Sequence, residues 1–240
     1  GAVQVIRSGN LKVETDAPPY DATVLARYMK QIGDRKTWAA VSTFDGEENA
    51  AAIVHRTLKE HNDQLTIIVP RHPERCNDIE AMLVAQGLKV ARRTRNDVIS
   101  PDVDVFLGDT IGEMGLYLRM TEVAFMGKSL LTEQGGQNPL EPAMLGCAIL
   151  SGGHIQNFRD SYQLLARRGS ARMVRDTEML TRGVHYLLTN DAARRSMIDA
   201  GFAAVHEMRG ALAATIKGLE PYINPLTVKA RLMPKTVAQG

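Results

Sequence analysis

Short apolar runs alternate with amphipathic stretches along most of this chain. The apolar runs have the length of β-strands, and the segments between them repeat hydrophobic residues at helical spacing. The runs predicted as strands are residues 37–44, 65–69, 90–94, 103–107, 123–126, 147–150 and 172–174. The segments predicted as helices are residues 47–61, 73–86, 112–120 and 139–145, with mostly helix from residue 158 onward. Strands that alternate with helices are typical of βαβ units, so the pattern predicts an α/β fold with a parallel sheet and flanking helices.

The two ends of the chain lack this alternation. Gly9-Asn10 and Pro18-Pro19 are turn-forming pairs, so residues 1–20 are predicted to form a connecting or edge segment. Residues 21–221 are predicted to form one α/β domain, and residues 222–240 an irregular tail.

Composition narrows the class of protein without assigning a function. Hydrophobic residues make up 44% and charged residues 23% of the 240 residues, which is ordinary for a soluble globular protein. The net charge of +2 is too small to indicate a nucleic-acid partner. Cys76 and Cys147 are far apart and form no zinc or disulfide pattern, which favours a reducing cytosol. No apolar stretch reaches membrane-spanning length, and no signal-peptide pattern opens the sequence.

The most informative segment is GGQNPLEP at residues 135–142, which follows a predicted strand. Gly135 and Gly136 allow positive φ and a close approach of the backbone to a ligand. Asn138 is predicted as the N-cap of a helix that starts with a proline, and Glu141 as the carboxylate of a capping box. A helix N-terminus beside a glycine loop, beyond the carboxyl end of a strand, indicates an anion site. Helix capping alone would also explain Asn138 and Glu141, but capping requires neither glycine.

Polar residues recur at the ends of the other predicted strands. Each of these segments, taken singly, is an ordinary helix start. Together, in a parallel sheet, they place one group of polar residues along a single edge: Ser42, Thr43, Arg71, Thr110, Glu113, Asn138 and Glu141. Carboxylates, hydroxyls, a guanidinium and helix N-termini that converge there are suited to bind a ribose and a phosphate.

Three other patterns are interpreted differently. Asp102 and Asp104 have the spacing of a metal–nucleotide motif, but they precede a strand and so lie at the edge opposite to the ligand edge. No GxGxxG sequence follows the first strand, which argues against a nicotinamide cofactor. The basic residues of the run 92–95 are interpreted as a solvated strand end rather than a polyanion site.

Five sequence blocks resemble, in this order, the signature blocks of the 3-deoxy-D-manno-octulosonic acid (Kdo) transferase family. The blocks are STFDGEE at 42–48, PRHPER at 70–75, GDTIGE at 108–113, GGQNPLEP at 135–142 and GHIQNF at 153–158. The resemblance spans residues 5–220 and is to the back half of these transferases. It implies a Rossmann-like domain, the C-terminal half of a GT-B glycosyltransferase, with residues 8–12 at the interdomain connection. Phe44 departs from the family pattern, which usually has a histidine at this position.

The resemblance implies that the domain binds the donor CMP-Kdo. Glu141 would accept hydrogen bonds from the ribose hydroxyls, and the Asn138 helix start with the backbone of residues 135–136 would hold the phosphate. Arg71 would add positive charge near the nucleotide or the sugar carboxylate. Thr110 and Glu113 would line the base or sugar end, and the other donor-binding residues implied are Ser42, Thr43, Gly112, Gly135, Gly136 and His154. The alternatives are a surface arginine for Arg71, a plain capping box for Thr110 with Glu113, and an ordinary loop histidine for His154.

In this family the reaction is transfer of Kdo from CMP to a hydroxyl of a lipid A precursor, in lipopolysaccharide biosynthesis, with inversion at the anomeric carbon. The resemblance implies no cofactor and no metal, because fixed donors at the leaving phosphate can stabilise its charge. It places the general base in the front domain, which also meets lipid A and makes most of the contact with the cytoplasmic face of the inner membrane. The chain alone is therefore expected to be a soluble, catalytically silent donor domain of an enzyme. A complete small nucleotide-sugar enzyme, such as an epimerase or hydrolase, and a non-catalytic nucleotide-binding module are the two alternatives.

Overall fold

The computed structural model of this chain describes residues 16–61, 63–133, 135–208 and 215–224. The chain divides into two compact units, residues 17–205 and a second unit of residues 1–16 with 206–240. In the second unit the structure describes a helical segment at residues 215–224. Most of the predicted connecting segment and of the predicted tail lies outside the described residues, and the domain boundaries at residues 20 and 221 stay predictions.

The first unit is built on one sheet of seven strands in the order β3-β4-β2-β1-β5-β6-β7, all paired in parallel. The strands are β1 (Lys36–Thr43), β2 (Gln64–Pro70), β3 (Val90–Arg92), β4 (Val105–Leu107), β5 (Val123–Met126), β6 (Ala148–Ser151) and β7 (Ala171–Met173). Each of the seven predicted apolar runs is a strand, with small differences at the ends. The predicted α/β fold with a parallel sheet is therefore confirmed.

One helix precedes the first strand, others connect most of the successive strands, and two follow the last strand. The helices are α1 (Ala22–Ile32), α2 (Glu47–Lys59), α3 (Cys76–Ala85), α4 (Met114–Arg119), α5 (Leu140–Met144), α6 (Arg159–Arg168), α7 (Thr177–Thr189) and α8 (Asp191–Met208). The helix predicted for residues 73–86 is a 3₁₀ turn, Pro73–Arg75, followed by α3. Helix α1 was not predicted, although Asp21 caps it by accepting hydrogen bonds from the backbone of Thr23 and Val24.

Burial on both faces explains why the strands were visible in the sequence. Every residue of β2 is buried, and Trp38 of β1 and Phe125 of β5 have no solvent exposure. A parallel strand that is covered on both sides is apolar along its whole length, so it appears as a continuous hydrophobic run.

The direction in which strands are added changes at β1, near the middle of the sheet. From β1 the chain passes to β2 on one side, and after β4 it crosses to β5 on the other side of β1. Ala39 of β1 is accordingly aligned with both Ile67 of β2 and Ala124 of β5. Open α/β sheets bind ligands beyond the carboxyl ends of their strands at such a point, so the loops after β1, β2, β4 and β5 are positioned to form a site.

Candidate functional site

A cavity of about 280 Å³ opens where β1, β2 and β5 end. The predicted site residues that line it are Ser42, Arg71, Thr110, Gly112, Asn138 and Glu141. The other lining residues are Val41, Val69, Pro70, Pro73, Ile111, Met114, Leu118, Met126, Gln137 and Pro142. The cavity therefore combines apolar side chains with several convergent polar groups, as small-molecule sites do.

Glu141 is the carboxylate among the lining residues, and it lies on the first turn of α5. Its Oε1 accepts a hydrogen bond of 3.2 Å from the side-chain amide of Asn138. Burial raises the pKa of Glu141 above its ordinary value, and the bond from Asn138 only partly opposes this. Glu141 therefore has unused acceptor capacity that faces the cavity.

The start of α5 differs from the predicted capping box. The helix begins at Leu140, and the Oδ1 of Asn138 accepts the backbone N–H of that residue at 3.1 Å. Glu141 bonds to the side-chain amide of Asn138 instead of its backbone N–H. The N-cap residue is Pro139, so the N-cap position predicted for Asn138 was wrong by one residue, and the capping duty assigned to Glu141 was also wrong. The carboxylate is freed for the cavity because a side-chain amide, which can turn, is its protein partner.

Arg71 and Ser42 are polar residues at the carboxyl ends of β2 and β1. The side chain of Arg71 is exposed, and it forms no ion pair with any residue that the structure describes. Its backbone N–H donates to the carbonyl of Thr43 at 3.0 Å, which fixes the end of β2 beside that of β1. Ser42 is the extra residue of a β-bulge between Val41 and Thr43 and has a φ of +53°. Bulges turn side chains away from the regular alternation of a strand, here towards the cavity.

Thr110 lines the cavity, but its hydroxyl is already occupied. It donates to Glu113 at 2.6 Å and lies 2.5 Å from the hydroxyl of Tyr117. Glu113 does not line the cavity and forms an ion pair with Arg93 at 2.8 Å. Since Thr110 has its proton committed to Glu113, it offers the cavity a lone pair rather than a donor. Gly112, with a φ of +83°, lies between the two residues and also lines the cavity.

Thr43 does not line the cavity but stabilises the end of β1 beside it. It is fully buried, and its hydroxyl donates to Glu48 at 2.8 Å. Glu48 is in turn paired with Arg75 at 3.0 Å. This network ties the end of β1 to α2 and to the 3₁₀ turn after β2.

The glycine pair and His154 also lie outside the cavity lining. A Cβ on Gly135 would come within 1.8 Å of the carbonyl oxygen of Lys128, and one on Gly136 within 2.9 Å of the Cα of Ile155. Gly136 has the positive φ that the sequence predicted, at +94°. Close packing of backbones therefore accounts for both glycines. The backbone N–H of His154 donates to the carbonyl of Ser129 at 3.0 Å, so this loop braces the segment after β5.

Glu47 organises the edge and was absent from the predicted site. It is fully buried, and its two oxygens accept the backbone N–H groups of Phe44, Lys128, Ser129 and Leu130 at distances of 2.6 to 3.1 Å. The turn after β1 and the loop after β5 are thereby joined through one carboxylate. The sequence signal was an acidic residue in a glycine turn, which is also the signal of an ordinary helix start.

Apolar lining residues are the other part of the site that the sequence did not reveal. Met114 and Met126 line the cavity, although methionines were interpreted as core filling. Ile111 also lines it and is 85% exposed, so it forms part of the mouth. Such residues could be identified only after the loops had been placed at one edge, because nothing in their type distinguishes them from core residues.

The acidic pair and the basic run have local partners, but the side chains of Arg92 and Arg93 are only 14% and 15% exposed, so the interpretation of the run as a solvated strand end was wrong for these two residues. Asp104 lies before β4, at the opposite edge of the sheet, and binds Lys59 at 2.5 Å; Asp102 binds Lys89 at 2.6 Å. The three arginines of the run 92–95 pair with acidic residues, namely Glu80, Asp97, Asp109 and Glu113. In the described part of the chain, no group of three or more His, Cys, Asp and Glu side chains could hold a metal ion. The helices that the structure describes are also too short or too polar to cross a bilayer.

Several named proteins are similar to this chain in sequence. A 3-deoxy-D-manno-octulosonic acid transferase of Haemophilus influenzae is 34% identical over 192 residues, which is 79% of this chain and 45% of that protein. The transferase of the same name from Bordetella pertussis is 31% identical over 228 residues, 93% of this chain and 53% of that protein. This chain thus spans about half the length of the curated relatives it matches. No protein-family model matches the chain.

A solved structure with the same fold is the C-terminal CMP-Kdo binding domain of WaaA from Acinetobacter baumannii. It superimposes with a TM-score of 0.73 at 24% identity and covers 76% of this chain and 96% of that domain. Almost the whole of that domain therefore has a counterpart here, and the predicted Rossmann-like fold of a GT-B glycosyltransferase domain is confirmed.

Proposed function

Because this chain belongs to the 3-deoxy-D-manno-octulosonic acid (Kdo) transferase family, we propose that its first unit binds the donor CMP-Kdo for transfer of Kdo. The observation that carries the proposal is the cavity at the switch point of the sheet, which is lined both by the carboxylate of Glu141 and by the guanidinium of Arg71, a cation without an ion pair among the described residues. A nucleotide presents complementary groups, since its ribose hydroxyls donate hydrogen bonds and its phosphate is anionic.

Three polar residues of the cavity have a role in this proposal. Glu141 accepts hydrogen bonds from the ribose hydroxyls, which add to the bond that its half-buried carboxylate accepts from Asn138. Arg71 binds the phosphate, because its charge is permanent and no described carboxylate competes for it. Asn138 positions Glu141 through its amide, so its effect on the ligand is indirect. The apolar floor around Met114 and Met126 suits the face of a cytosine ring.

The same groups explain how this half would assist the transfer. When the bond between Kdo and CMP breaks, negative charge grows on the phosphate of the departing CMP. A guanidinium already in place stabilises that charge without reorganisation, which lowers the barrier. We propose that the transfer inverts the anomeric carbon and needs no metal, and that the general base is in the part of the relatives that this chain does not match.

The acceptor and the location belong to the proposal for the whole enzyme. We propose a lipid A precursor as the acceptor and the cytoplasmic face of the inner membrane as the place of reaction. Both follow from the family and not from a feature of the cavity. Contact with the acceptor and the membrane is assigned mainly to the unmatched half.

The binding of CMP is tested by thermal unfolding of the 240-residue chain with CMP, UMP or AMP. We expect CMP to raise the melting temperature most, because a ligand that binds only the folded state stabilises it. Arg71→Gln should remove most of that shift. The matched control is Arg182→Gln, since Arg182 is 69% exposed on α7 and bound to Glu178. Equal shifts for the three nucleotides, or no shift at millimolar concentration, would exclude the proposal.

Turnover distinguishes a donor domain from a complete enzyme. We expect the chain mixed with CMP-Kdo and a lipid A precursor to release CMP no faster than the spontaneous reaction, with or without magnesium, because the base is lacking. Addition of the unmatched half of a relative should restore transfer. Rapid transfer by this chain alone would contradict the placement of the base.

A further inference from the structure

Lys128 has a backbone conformation that its residue type disfavours. It follows β5 and has a φ of +54°, in the left-handed region where a Cβ is crowded. Its N–H donates to Glu47 at 2.6 Å, and its carbonyl accepts the N–H of Gly136 at 2.7 Å. These bonds fix the backbone whatever the side chain is, and a glycine would satisfy them at lower cost. A lysine at this position therefore contributes through its side chain.

The ammonium group of Lys128 is oriented without being neutralised. Its Nζ lies 4.8 Å from the centroid of the Phe44 ring, and that ring meets His72 edge-on at 5.4 Å. A cation above an aromatic face is held by the ring quadrupole and keeps its net charge. No carboxylate of the described residues forms an ion pair with Lys128. The positive charge is thus positioned and available to a ligand.

This cluster of Phe44, His72 and Lys128 stands at the rim of the cavity. Phe44 and Lys128 each come two residues after a residue of the lining, and His72 lies between two of them. The lining residues in question are Ser42, Arg71, Pro73 and Met126. A group that projects from a nucleotide in the cavity towards the mouth would meet the cluster next.

We propose that Lys128 binds the carboxylate of the sugar acid that the donor carries, an inference that rests on the proposed function. An activated octulosonic acid has two anionic groups, the phosphate of CMP and the sugar carboxylate. The cavity and its rim have two cations without carboxylate partners in the described structure, Arg71 and Lys128. Arg71 lines the cavity and serves the phosphate, whereas Lys128 at the rim serves the group beyond it. Phe44, which holds the ammonium in place, is a positioning residue.

The test compares the dissociation constants of CMP and of freshly prepared CMP-Kdo, measured by titration calorimetry. We expect Lys128→Gly to weaken CMP-Kdo about tenfold, as for loss of one charged hydrogen bond near the surface, and CMP by less than about twofold. Lys128→Arg should keep most of the affinity for CMP-Kdo. Lys128→Gly should also melt no lower than the original chain, because glycine suits the positive φ. Lys89→Gln, which removes one cation at the opposite edge of the sheet, measures the general effect of charge.

The outcomes separate this inference from the proposed function. A selective loss of CMP-Kdo affinity, rescued by arginine, supports the role of Lys128. Equal weakening of both ligands would assign the ammonium to the phosphate and overturn the inference, as would unchanged affinity for both. If the original chain fails to bind CMP at all, the proposed function falls and the inference falls with it.

Discussion

The substitution Glu141→Gln distinguishes a role in ligand binding from a role in stability. We expect it to keep or raise the free energy of unfolding and to weaken the affinity for CMP. Burial raises the pKa of Glu141 in the folded protein, so the folded state holds its proton to higher pH than the unfolded state does. Between the two pKa values the folded state binds more protons, and the free energy of unfolding therefore falls as pH rises through this range. At neutral pH the buried charge opposes folding. Glutamine removes that charge, so we expect the variant to be at least as stable as the original chain.

The loss of affinity is estimated from the hydrogen bonds that the carboxylate would accept. A bond to a charged group contributes about 1.5 to 3 kcal/mol, and a glutamine oxygen retains part of it as a neutral acceptor. We therefore expect CMP binding to weaken by about 1 to 3 kcal/mol, or about five- to 150-fold in Kd. The difference between the two proteins should shrink as the pH falls through the raised pKa of Glu141, because the protonated carboxyl resembles the amide.

Titration calorimetry with CMP and melting curves at the same pH measure the two quantities. Glu178→Gln is the matched control, since it makes the same change of charge at an exposed position on α7. A variant that loses stability but keeps its Kd would show that Glu141 supports the fold and does not hold the ribose. That result would refute the reasoning.

Three further substitutions test the framework of the edge. Glu47→Gln should lower the free energy of unfolding by about 3 kcal/mol, because its amide would face backbone N–H groups that now bind a carboxylate; chemical denaturation measures this. Gly135→Ala should destabilise the chain and weaken CMP, since its Cβ would meet the carbonyl of Lys128 at 1.8 Å; a normal melting temperature would contradict the packing role. Burial acts to raise the pKa of Asp104, but bonds from Lys59 and a backbone N–H outweigh it and the pKa is lowered. Asp104→Asn should therefore lower the melting temperature at pH 7, with the difference fading below about pH 4 as the original carboxylate is protonated, and should leave the Kd for CMP unchanged.

The sheet could be predicted because its strands are buried on both faces. Mostly apolar runs such as residues 65–69 are buried in the core, and turn residues mark where each run ends. The same logic placed Ser42, Arg71, Thr110, Asn138 and Glu141 at one edge, since all carboxyl ends of parallel strands meet there. Helix α1 could also have been predicted, because Asp21 is a cap residue and Leu25, Tyr28 and Ile32 recur at helical spacing after it.

The roles of single residues at the edge could not be predicted, because they depend on contacts between distant loops. Glu47 and Glu141 both occur at helix starts, yet one is saturated by backbone N–H groups and the other faces the cavity. Ser42 and Thr43 are adjacent hydroxyl residues, and the bulge at Ser42 decides which one lines the cavity. Gly135 is required by a backbone that lies seven residues earlier in the sequence but in direct contact in space. In each case the residue type indicated the chemical group, but the fold determined whether that group faces the cavity.

The carboxylate of Glu47 links the start of α2 to three consecutive backbone amides after β5. The amide protons of Lys128, Ser129 and Leu130 all bind its two oxygens, so releasing one of them weakens the anchor of the others. We therefore expect their exchange with deuterated solvent to follow a shared opening, with similar protection of the three amides. Since Glu47 begins α2 and the amides follow β5, that opening parts the segments on either side of the β1–β5 pair. Hydrogen exchange at this edge thus reports on the whole rim and not on one loop.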